Sequence, residues 1–126
     1  MKFDETVKYL QVSDVAVNGN DVILTNKHIP KNVPVIVMLQ ADYCHYCTEA
    51  KPAFQEAARI AGDTAFFATI QADGNQPGEK ELATLLQLID KSGFKGFPTY
   101  VRYEGGRYVS THAGGRDVNS IIEFAS

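Results

Sequence analysis

The heptapeptide Ala41-Asp42-Tyr43-Cys44-His45-Tyr46-Cys47 lies where the pattern of apolar residues changes its period. Before it, Val33 to Leu39 form a nearly continuous apolar run, which is typical of a strand buried on both faces of a sheet. After it, apolar residues recur at helical spacing as far as Gly62, and they are Ala50, Phe54, Ala57, Ala58 and Ala61. The sequence therefore predicts a central strand that leads directly into a helix, with both cysteines at the junction.

Cys44 and Cys47 are the only two cysteines among the 126 residues. A sulfur at the start of a helix meets unpaired backbone N–H groups and the positive end of the helix dipole, which stabilise a thiolate. Cys47 follows one turn later on the same helix face, where it is able to close a small disulfide ring and resolve a mixed disulfide formed at Cys44. This spacing predicts a redox-active pair with Cys44 as the nucleophile.

Three other interpretations of the cysteine pair are weaker. A zinc site would need two of His28, His45 and His112 as further ligands, but these histidines lack the usual paired spacing. A structural disulfide normally links distant elements rather than two residues of one turn. Inert buried thiols do not fit the polar and aromatic flanks of both cysteines. We therefore expect no metal site, and no cofactor other than the Cys44–Cys47 disulfide itself.

Strand-like and helical segments alternate through the rest of the chain. The strand-like segments are residues 64–70, 99–103 and 107–111, with one or both of 7–12 and 22–24. The helical segments run from near Glu79 to about Lys91 and onward from Arg116 or Asp117. This order predicts a single α/β domain over residues 1–126, with a central mixed sheet flanked by helices on both faces.

Composition and charge exclude several classes of function. The net charge of −3 and the scattered basic residues argue against a nucleic-acid partner. No apolar run approaches the length of about 20 residues that crosses a bilayer, so no membrane segment is expected. The first five residues carry no apolar signal region, which favours a cytoplasmic location unless a leader has been removed. We expect a monomer.

The sequence resembles the thioredoxin family from about Val33 to Ser126. The heptapeptide stands in place of the family's Ala-x-Trp-Cys-x-x-Cys, and Pro52 matches the proline that kinks the family's helix. Gly96-Phe97-Pro98-Thr99 matches the family's cis-proline loop. The resemblance is to thioredoxin and to the catalytic domains of protein disulfide-isomerases, and it implies a thioredoxin fold and a protein dithiol–disulfide oxidoreductase. Its partners would be protein substrates and an unidentified recycling reductase or oxidant.

The resemblance also implies roles for residues around the cysteines. Tyr43, Phe97 and Pro98 would contact an extended substrate, with the Phe97–Pro98 bond in the cis form. His45 and Tyr46, between the cysteines, would tune the reduction potential. Arg116 matches an arginine of isomerase domains that swings toward the active site and acts on the second cysteine.

Two positions depart from the family pattern. The family usually carries a buried acid six residues before the first cysteine, where it accepts a proton from the second cysteine. That position is Met38 here, and the matching position for the acid's usual lysine partner is Thr69. Deprotonation of Cys47 would then depend on water or another base. The chain also has a longer loop before Pro98, which we place at Asp73 to Lys80.

Two alternative functions fit parts of the sequence. A glutathione-linked, glutaredoxin-like reductase is favoured by Tyr46 and by Gly114-Gly115-Arg116-Asp117, which is similar to a glycine pair and acid near the glutathione site. Pro52 and the aromatic residue before Cys44 argue against it. A non-catalytic binding module of the same fold typically loses one cysteine, whereas this chain keeps both.

Overall fold

Seven strands form two sheets in the computed structural model, which describes residues 1–126. They are β1 (Val7–Tyr9), β2 (Val15–Asn18), β3 (Asp21–Leu24), β4 (Val35–Gln40), β5 (Phe66–Gln71), β6 (Thr99–Glu104) and β7 (Arg107–Thr111). The larger sheet has the order β1-β5-β4-β6-β7, and β2 pairs with β3 in a separate hairpin. Strands β1 and β4 run parallel to β5, whereas β6 runs antiparallel to β4 and β7. The sheet is therefore mixed, and β4 lies at its centre.

Four α-helices complete the fold, namely α1 (His45–Ala61), α2 (Glu79–Ala83), α3 (Leu86–Ile89) and α4 (Val118–Ala125). Short 3-10 helices span Val12–Asp14 and Gly62–Thr64. Helix α1 is followed by Gly62, whose φ of 54° a residue with a side chain rarely adopts. Asp117 caps α4 by accepting the Ser120 backbone N–H. No α-helix combines the length and the apolar character needed to span a membrane.

The two sides of the sheet bury different clusters. The side that packs against α1 and α4, called the α1 face, buries Phe3, Val7, Ile36, Met38, Ala50, Phe54, Ala57, Ala58, Ala65, Phe67, Tyr100, Ile121 and Ala125. The opposite side, called the hairpin face, buries Leu10, Val22, Leu24, Ile29, Val35, Val37, Leu39, Ala68, Ile70, Leu82, Leu86, Ile89, Val101 and Tyr103. Alternate residues of β4 enter alternate clusters, as the pleat of a strand requires. Burial of β4 on both faces, predicted from its apolar run, is confirmed.

The β2–β3 hairpin is attached to the turn between β6 and β7. The Leu24 N–H donates to the Gly106 carbonyl at 2.9 Å, and the Tyr103 hydroxyl donates to the Val22 carbonyl at 2.9 Å. Gly106 has a φ of 82°, and a Cβ atom there would lie 2.7 Å from the Leu24 carbonyl oxygen. The hairpin therefore helps to cover a sheet face that carries only the short helices α2 and α3.

The predicted mixed sheet with helices on both faces is confirmed, but some predicted boundaries were wrong. The first strand ends at Tyr9, because the Asp14 carboxylate accepts the Gln11 N–H at 2.8 Å and closes a 3-10 turn. The helix predicted over residues 79–91 is divided into α2 and α3. Bonds from residue i to i−3 at Thr84 and Leu85 make a turn there that preserves the near-helical spacing of the apolar side chains.

Candidate functional site

Cys44 occupies the N-cap position of α1. Its backbone is extended, and its Sγ atom accepts a hydrogen bond from the Cys47 N–H at 3.2 Å. The sulfur thus fills the place that a Ser or Asp oxygen usually takes at a helix start, where N–H donors and the dipole favour negative charge. The side chain is half-buried rather than enclosed, so a reactant has access to this sulfur.

Cys47 lies behind Cys44 and is completely buried. Burial, together with the hydrogen bond to Cys44, raises the pKa of the Cys47 thiol to about 12, while the Ala41 N–H and the Lys51 charge act in the opposite direction. Both cysteines are free thiols in this structure. At neutral pH Cys47 is therefore a protonated thiol that packs behind the half-buried Cys44.

The loop before β6 closes over Cys44. The Phe97–Pro98 peptide bond is cis, and both residues are half-buried. The Cys44 thiol donates to the Phe97 carbonyl oxygen, with 3.7 Å between Sγ and the oxygen. The Thr99 hydroxyl donates to the Gly96 carbonyl at 2.6 Å and ties the loop to β6. The loop predicted from Gly96-Phe97-Pro98-Thr99 is therefore next to the first cysteine.

Two tyrosines form the exposed rim of the site. Tyr43 is 75% exposed, and its ring meets the edge of the Phe97 ring with 6.3 Å between centroids. Tyr46 is 61% exposed, and the Arg116 guanidinium lies 5.6 Å from its ring centroid. Such a cation–π contact at an exposed position contributes about 0.5–1 kcal/mol. Arg116 thus lies beside the segment from Cys44 to Cys47, because its guanidinium packs on the Tyr46 ring.

His45 points away from the buried cysteine. Its Nε2 atom lies 2.8 Å from the Glu49 carboxylate, one helical turn along α1, and both side chains are largely exposed. Exposed pairs of this kind contribute little to stability. Any effect of His45 on the dithiol therefore acts through its charge on the helix surface rather than through contact with Cys47.

A polar network that was not predicted from the sequence holds the segment before Cys44. The Asp73 carboxylate accepts the backbone N–H groups of Asp42 and Tyr43 at 2.9 and 3.3 Å. The Asp42 carboxylate in turn accepts from Lys51 Nζ at 2.8 Å and from Gln71 Nε2 at 3.1 Å. These bonds lower the pKa of the Asp42 carboxyl, and Lys51 is the largest cause. The network connects the loop at Asp73 to Asp42 and Tyr43, the residues directly before Cys44.

No carboxylate occupies the family's buried acid position. Met38 is completely buried there, and it pairs in register with Thr69 of β5. The Thr69 hydroxyl donates to the Met38 carbonyl at 2.8 Å, which satisfies this polar side chain locally. Burial raises the pKa of the nearby Tyr100 phenol to about 12, and a negative charge on Cys47 acts in the same direction. Neither Thr69 nor Tyr100 replaces the missing acid.

The histidines do not join the cysteines in a zinc site. No group of three or more His, Cys, Asp or Glu side chains is arranged to hold a metal ion. His112 packs against Phe124 with 4.7 Å between ring centroids, and its Nε2 contacts the Gly115 carbonyl. His28 is exposed on a turn before β4.

The fold and the paired cysteines together place the chain among the thioredoxin-fold thiol–disulfide oxidoreductases. The family model for thioredoxin matches residues 20–126, so the chain belongs to the thioredoxin family. Over 97% of its length the chain is 40% identical to the thioredoxin-like protein 453L of Invertebrate iridescent virus 6, of which it covers 94%. The family predicted from the sequence is confirmed.

More distant relatives include disulfide isomerases. The chain is 32% identical over 79% of its length to the protein disulfide isomerase-like 2-3 of Oryza sativa subsp. japonica, but it spans only 20% of that protein. Among solved structures, human ERp44 in form I matches 98% of this chain with a TM-score of 0.70 and 15% identity, over 29% of its own length. The J-Trx1 fragment of ERdj5 matches 97% of this chain with a TM-score of 0.68 and 14% identity, over 51% of its own length. At these identities the solved structures show the fold alone.

Proposed function

We propose that this chain exchanges disulfides with protein substrates, with Cys44 as the attacking thiol and Cys47 as the resolving thiol. The observation that carries the assignment is the contrast between the two sulfurs. Cys44 is accessible and accepts a backbone N–H at the start of α1, whereas Cys47 is completely buried behind it. Only the first sulfur is able to meet a disulfide in another protein.

The exchange proceeds in two balanced steps. The Cys44 thiolate attacks one sulfur of a substrate disulfide, so that a mixed disulfide forms and the other substrate sulfur leaves as a thiolate. Cys47 then loses its proton and attacks the Cys44 sulfur, which forms the Cys44–Cys47 disulfide and releases the second substrate thiolate. Both released thiolates take up protons. Two electrons pass to the substrate, and a recycling dithiol returns them, whereas the reverse direction oxidises a substrate dithiol.

The rim of the site suits an extended peptide substrate. Tyr43 and Phe97 present aromatic surface on one side of Cys44, and the Phe97 carbonyl already lies within reach of its sulfur. Pro98 follows Phe97 in the loop that closes over Cys44. We place the substrate chain along this edge, with apolar side chains against Tyr43. The similarity to a plant protein disulfide isomerase-like protein supports protein disulfides as substrates.

The groups around the dithiol also set its reduction potential in this proposal. A positive charge near Cys44 stabilises the thiolate and hence the reduced pair, which makes the couple more oxidising. Arg116 on the Tyr46 ring and His45 when protonated are the cations of the rim. Arg116 contacts Tyr46 and His45 contacts Glu49, so we assign their effect to the half-buried Cys44 sulfur rather than to Cys47.

Reduction of insulin by dithiothreitol, followed as turbidity, tests the proposal. The parent should accelerate the reduction, Cys44→Ser should abolish the acceleration, and Cys47→Ser should trap mixed disulfides at Cys44. Lys31→Ala, which alters an exposed position before β4, at the opposite end of that strand from Cys44, serves as the control. Turnover with glutathione as the only reductant, without activity on insulin, would favour the glutaredoxin-like alternative. Activity that survives in Cys44→Ser contradicts the assignment.

A further inference from the structure

Lys51 is buried in an unusual place. It lies on the inward face of α1, and its side chain is 1% exposed. Its Nζ atom donates to Asp42 Oδ1 at 2.8 Å and to the Met1 carbonyl at 3.3 Å. Desolvation of an ammonium group is costly, and the Asp42 side chain that pairs with it is itself 63% exposed. A methionine of similar length at position 51 would avoid this cost, so Lys51 calls for a role other than stability.

The buried charge lies one helical turn from the buried thiol. Cys47 and Lys51 occupy positions i and i+4 of α1, which place both side chains on one helix face. Burial and the hydrogen bond to Cys44 raise the pKa of Cys47, and the Ala41 N–H and then the positive charge of Lys51 act in the opposite direction. A charge acts over a longer range inside a protein than in water, because the effective dielectric constant there is lower.

Few other groups are able to favour a thiolate at Cys47. On its own helix it meets Cys44, and from the loop before α1 it meets the Ala41 N–H. From β6 it interacts with the buried phenol of Tyr100, and the charge of Arg116 acts to lower the pKa of that phenol. None of these groups is a carboxylate, and Lys51 is the cation on the face of α1 that carries Cys47.

Ionisable groups of other elements surround the pair of Lys51 and Asp42. Burial raises the pKa of the Tyr9 phenol of β1, and there the Lys51 charge acts downward while the Asp42 charge acts upward. Burial and the charges of Asp73 and Asp42 raise the pKa of the Glu79 carboxyl. The hydrogen bond from Nζ to the Asp42 carboxylate holds the Lys51 ammonium toward the start of α1.

We propose that Lys51 is a positioning residue for the resolving step: its buried charge stabilises the Cys47 thiolate as this thiolate attacks the Cys44 sulfur, and Asp42 keeps that charge in place. The inference rests on the proposed exchange function. Lys51 acts through the position of its charge and exchanges no proton in this step. The proton that Cys47 loses is balanced by the proton that the leaving substrate thiolate gains, so the step needs no further reactant.

A chromogenic aromatic disulfide, 5,5′-dithiobis(2-nitrobenzoate), separates the two steps in a stopped-flow experiment. At one equivalent per reduced chain, attack by Cys44 releases the first thiolate and attack by Cys47 releases the second. Lys51→Met should leave the first phase within about twofold and slow the second about tenfold at pH 7.5. The pH profile of the second phase should move upward by about one unit. Lys51→Met should remain folded, since it removes a buried charge and leaves a partner that is mostly exposed.

Two further variants make the test specific. Arg59→Met removes a cation from an exposed position on the same helix and should leave both phases within about twofold. Asp42→Asn keeps a hydrogen-bond acceptor for Lys51 but removes the negative charge, so the second phase should be as fast as in the parent or faster.

Several outcomes would overturn the inference. A second phase in Lys51→Met that matches the parent across the pH range removes the role of the charge. Equal slowing of both phases assigns Lys51 to structure alone. Slowing by Asp42→Asn as large as that by Lys51→Met makes Asp42 the acting group, as a base. If the parent itself releases only one equivalent, the proposed exchange function fails instead.

Discussion

The two faces of the sheet differ in what they bury. The hairpin face is aliphatic except for Tyr103, whose hydroxyl is bonded to the Val22 carbonyl. On the α1 face the apolar cluster ends against buried polar side chains of α1 and β5, namely Lys51, Gln55 and Thr69. Buried polar groups reduce the gain from folding, whereas aliphatic burial supplies most of it. The buried cysteine and the buried lysine therefore lie on the α1 face, whereas the hairpin side buries aliphatic residues together with three carboxylates of its short helices, Asp14, Glu79 and Asp90.

The largest effect should come from truncating one core side chain on each face. Phe54 of the α1 face is completely buried and its ring contacts Phe3, Phe67 and Tyr100, so Phe54→Ala should lower the free energy of unfolding by about 3–5 kcal/mol. Leu82 of the hairpin face is equally buried, and Leu82→Ala should lower it by about 2–5 kcal/mol. Urea unfolding measures both values.

The same two variants sharpen the comparison through reactivity. Phe54 lies on the helix that carries Cys47, so Phe54→Ala should open this region and speed alkylation of Cys47 by iodoacetamide in the reduced protein. Leu82→Ala should leave that rate near the parent value under conditions where both variants remain folded. If both variants expose Cys47 equally, the two faces unfold together and the division of roles is wrong.

A smaller effect is expected where the hairpin meets the β6–β7 turn. Gly106→Ala places a Cβ atom 2.7 Å from the Leu24 carbonyl oxygen at a φ of 82°, so it should cost about 1–3 kcal/mol. Gly105→Ala is the matched control, because Gly105 also has a positive φ of 58° but no atom within 4 Å of the new Cβ. Thermal unfolding should show a larger loss for Gly106→Ala. Equal losses would mean that backbone strain alone matters and that the contact with the hairpin contributes nothing.

The effect that is smallest near neutral pH, and that grows only in alkali, concerns the buried thiol. The pKa of Cys47 is about 12 in the folded protein, mainly because of burial, against 9.0 for a free thiol. Between these values the unfolded chain releases a proton that the folded chain keeps, so stability is full below pH 9 and falls as pH rises. The slope is at most about 1.4 kcal/mol per pH unit.

Comparison of the reduced protein with reduced Cys47→Ala isolates this slope, because the buried tyrosines are common to both. Chemical unfolding at several pH values from 8 to 11 should show the two stability curves converging or crossing as pH rises. Parallel curves would show that Cys47 is solvated in the folded state, contrary to its position behind Cys44.

The elements with a strong local pattern were predictable from the sequence. The apolar run before the cysteines became β4, which begins at Val35 because Pro34 has no N–H to offer a neighbouring strand. Helical spacing up to Gly62 identified α1, and the Gly105-Gly106 turn identified the β6–β7 hairpin. Each of these signals depends on residues close together in the chain, which explains why they could be found without the structure.

The parts that escaped prediction depend on contacts between distant residues. Strand β2 is largely exposed and has no apolar alternation, so only its pairing with β3 defines it. Asp73 was placed in a loop, but its bonds to the backbone of Asp42 and Tyr43 span about thirty residues of sequence. Lys51 did stand at the inward spacing of α1, four residues after Cys47, and this conflict between charge and position was the one signal that could have revealed the network.

The placement of the dithiol at the end of β4 also bears on local unfolding. Strand β4 pairs with β5 on one side and with β6 on the other, and all six of its residues are buried. Backbone amides in such a strand exchange with solvent only through large openings, whereas the three-residue edge strand β1 is able to open on its own. Fraying therefore spreads inward from the edges of the sheet, and β4 is the last strand to open. The segment that carries Cys44 and Cys47 follows directly after this strand. The reactive sulfur keeps its position while the edges of the sheet fluctuate.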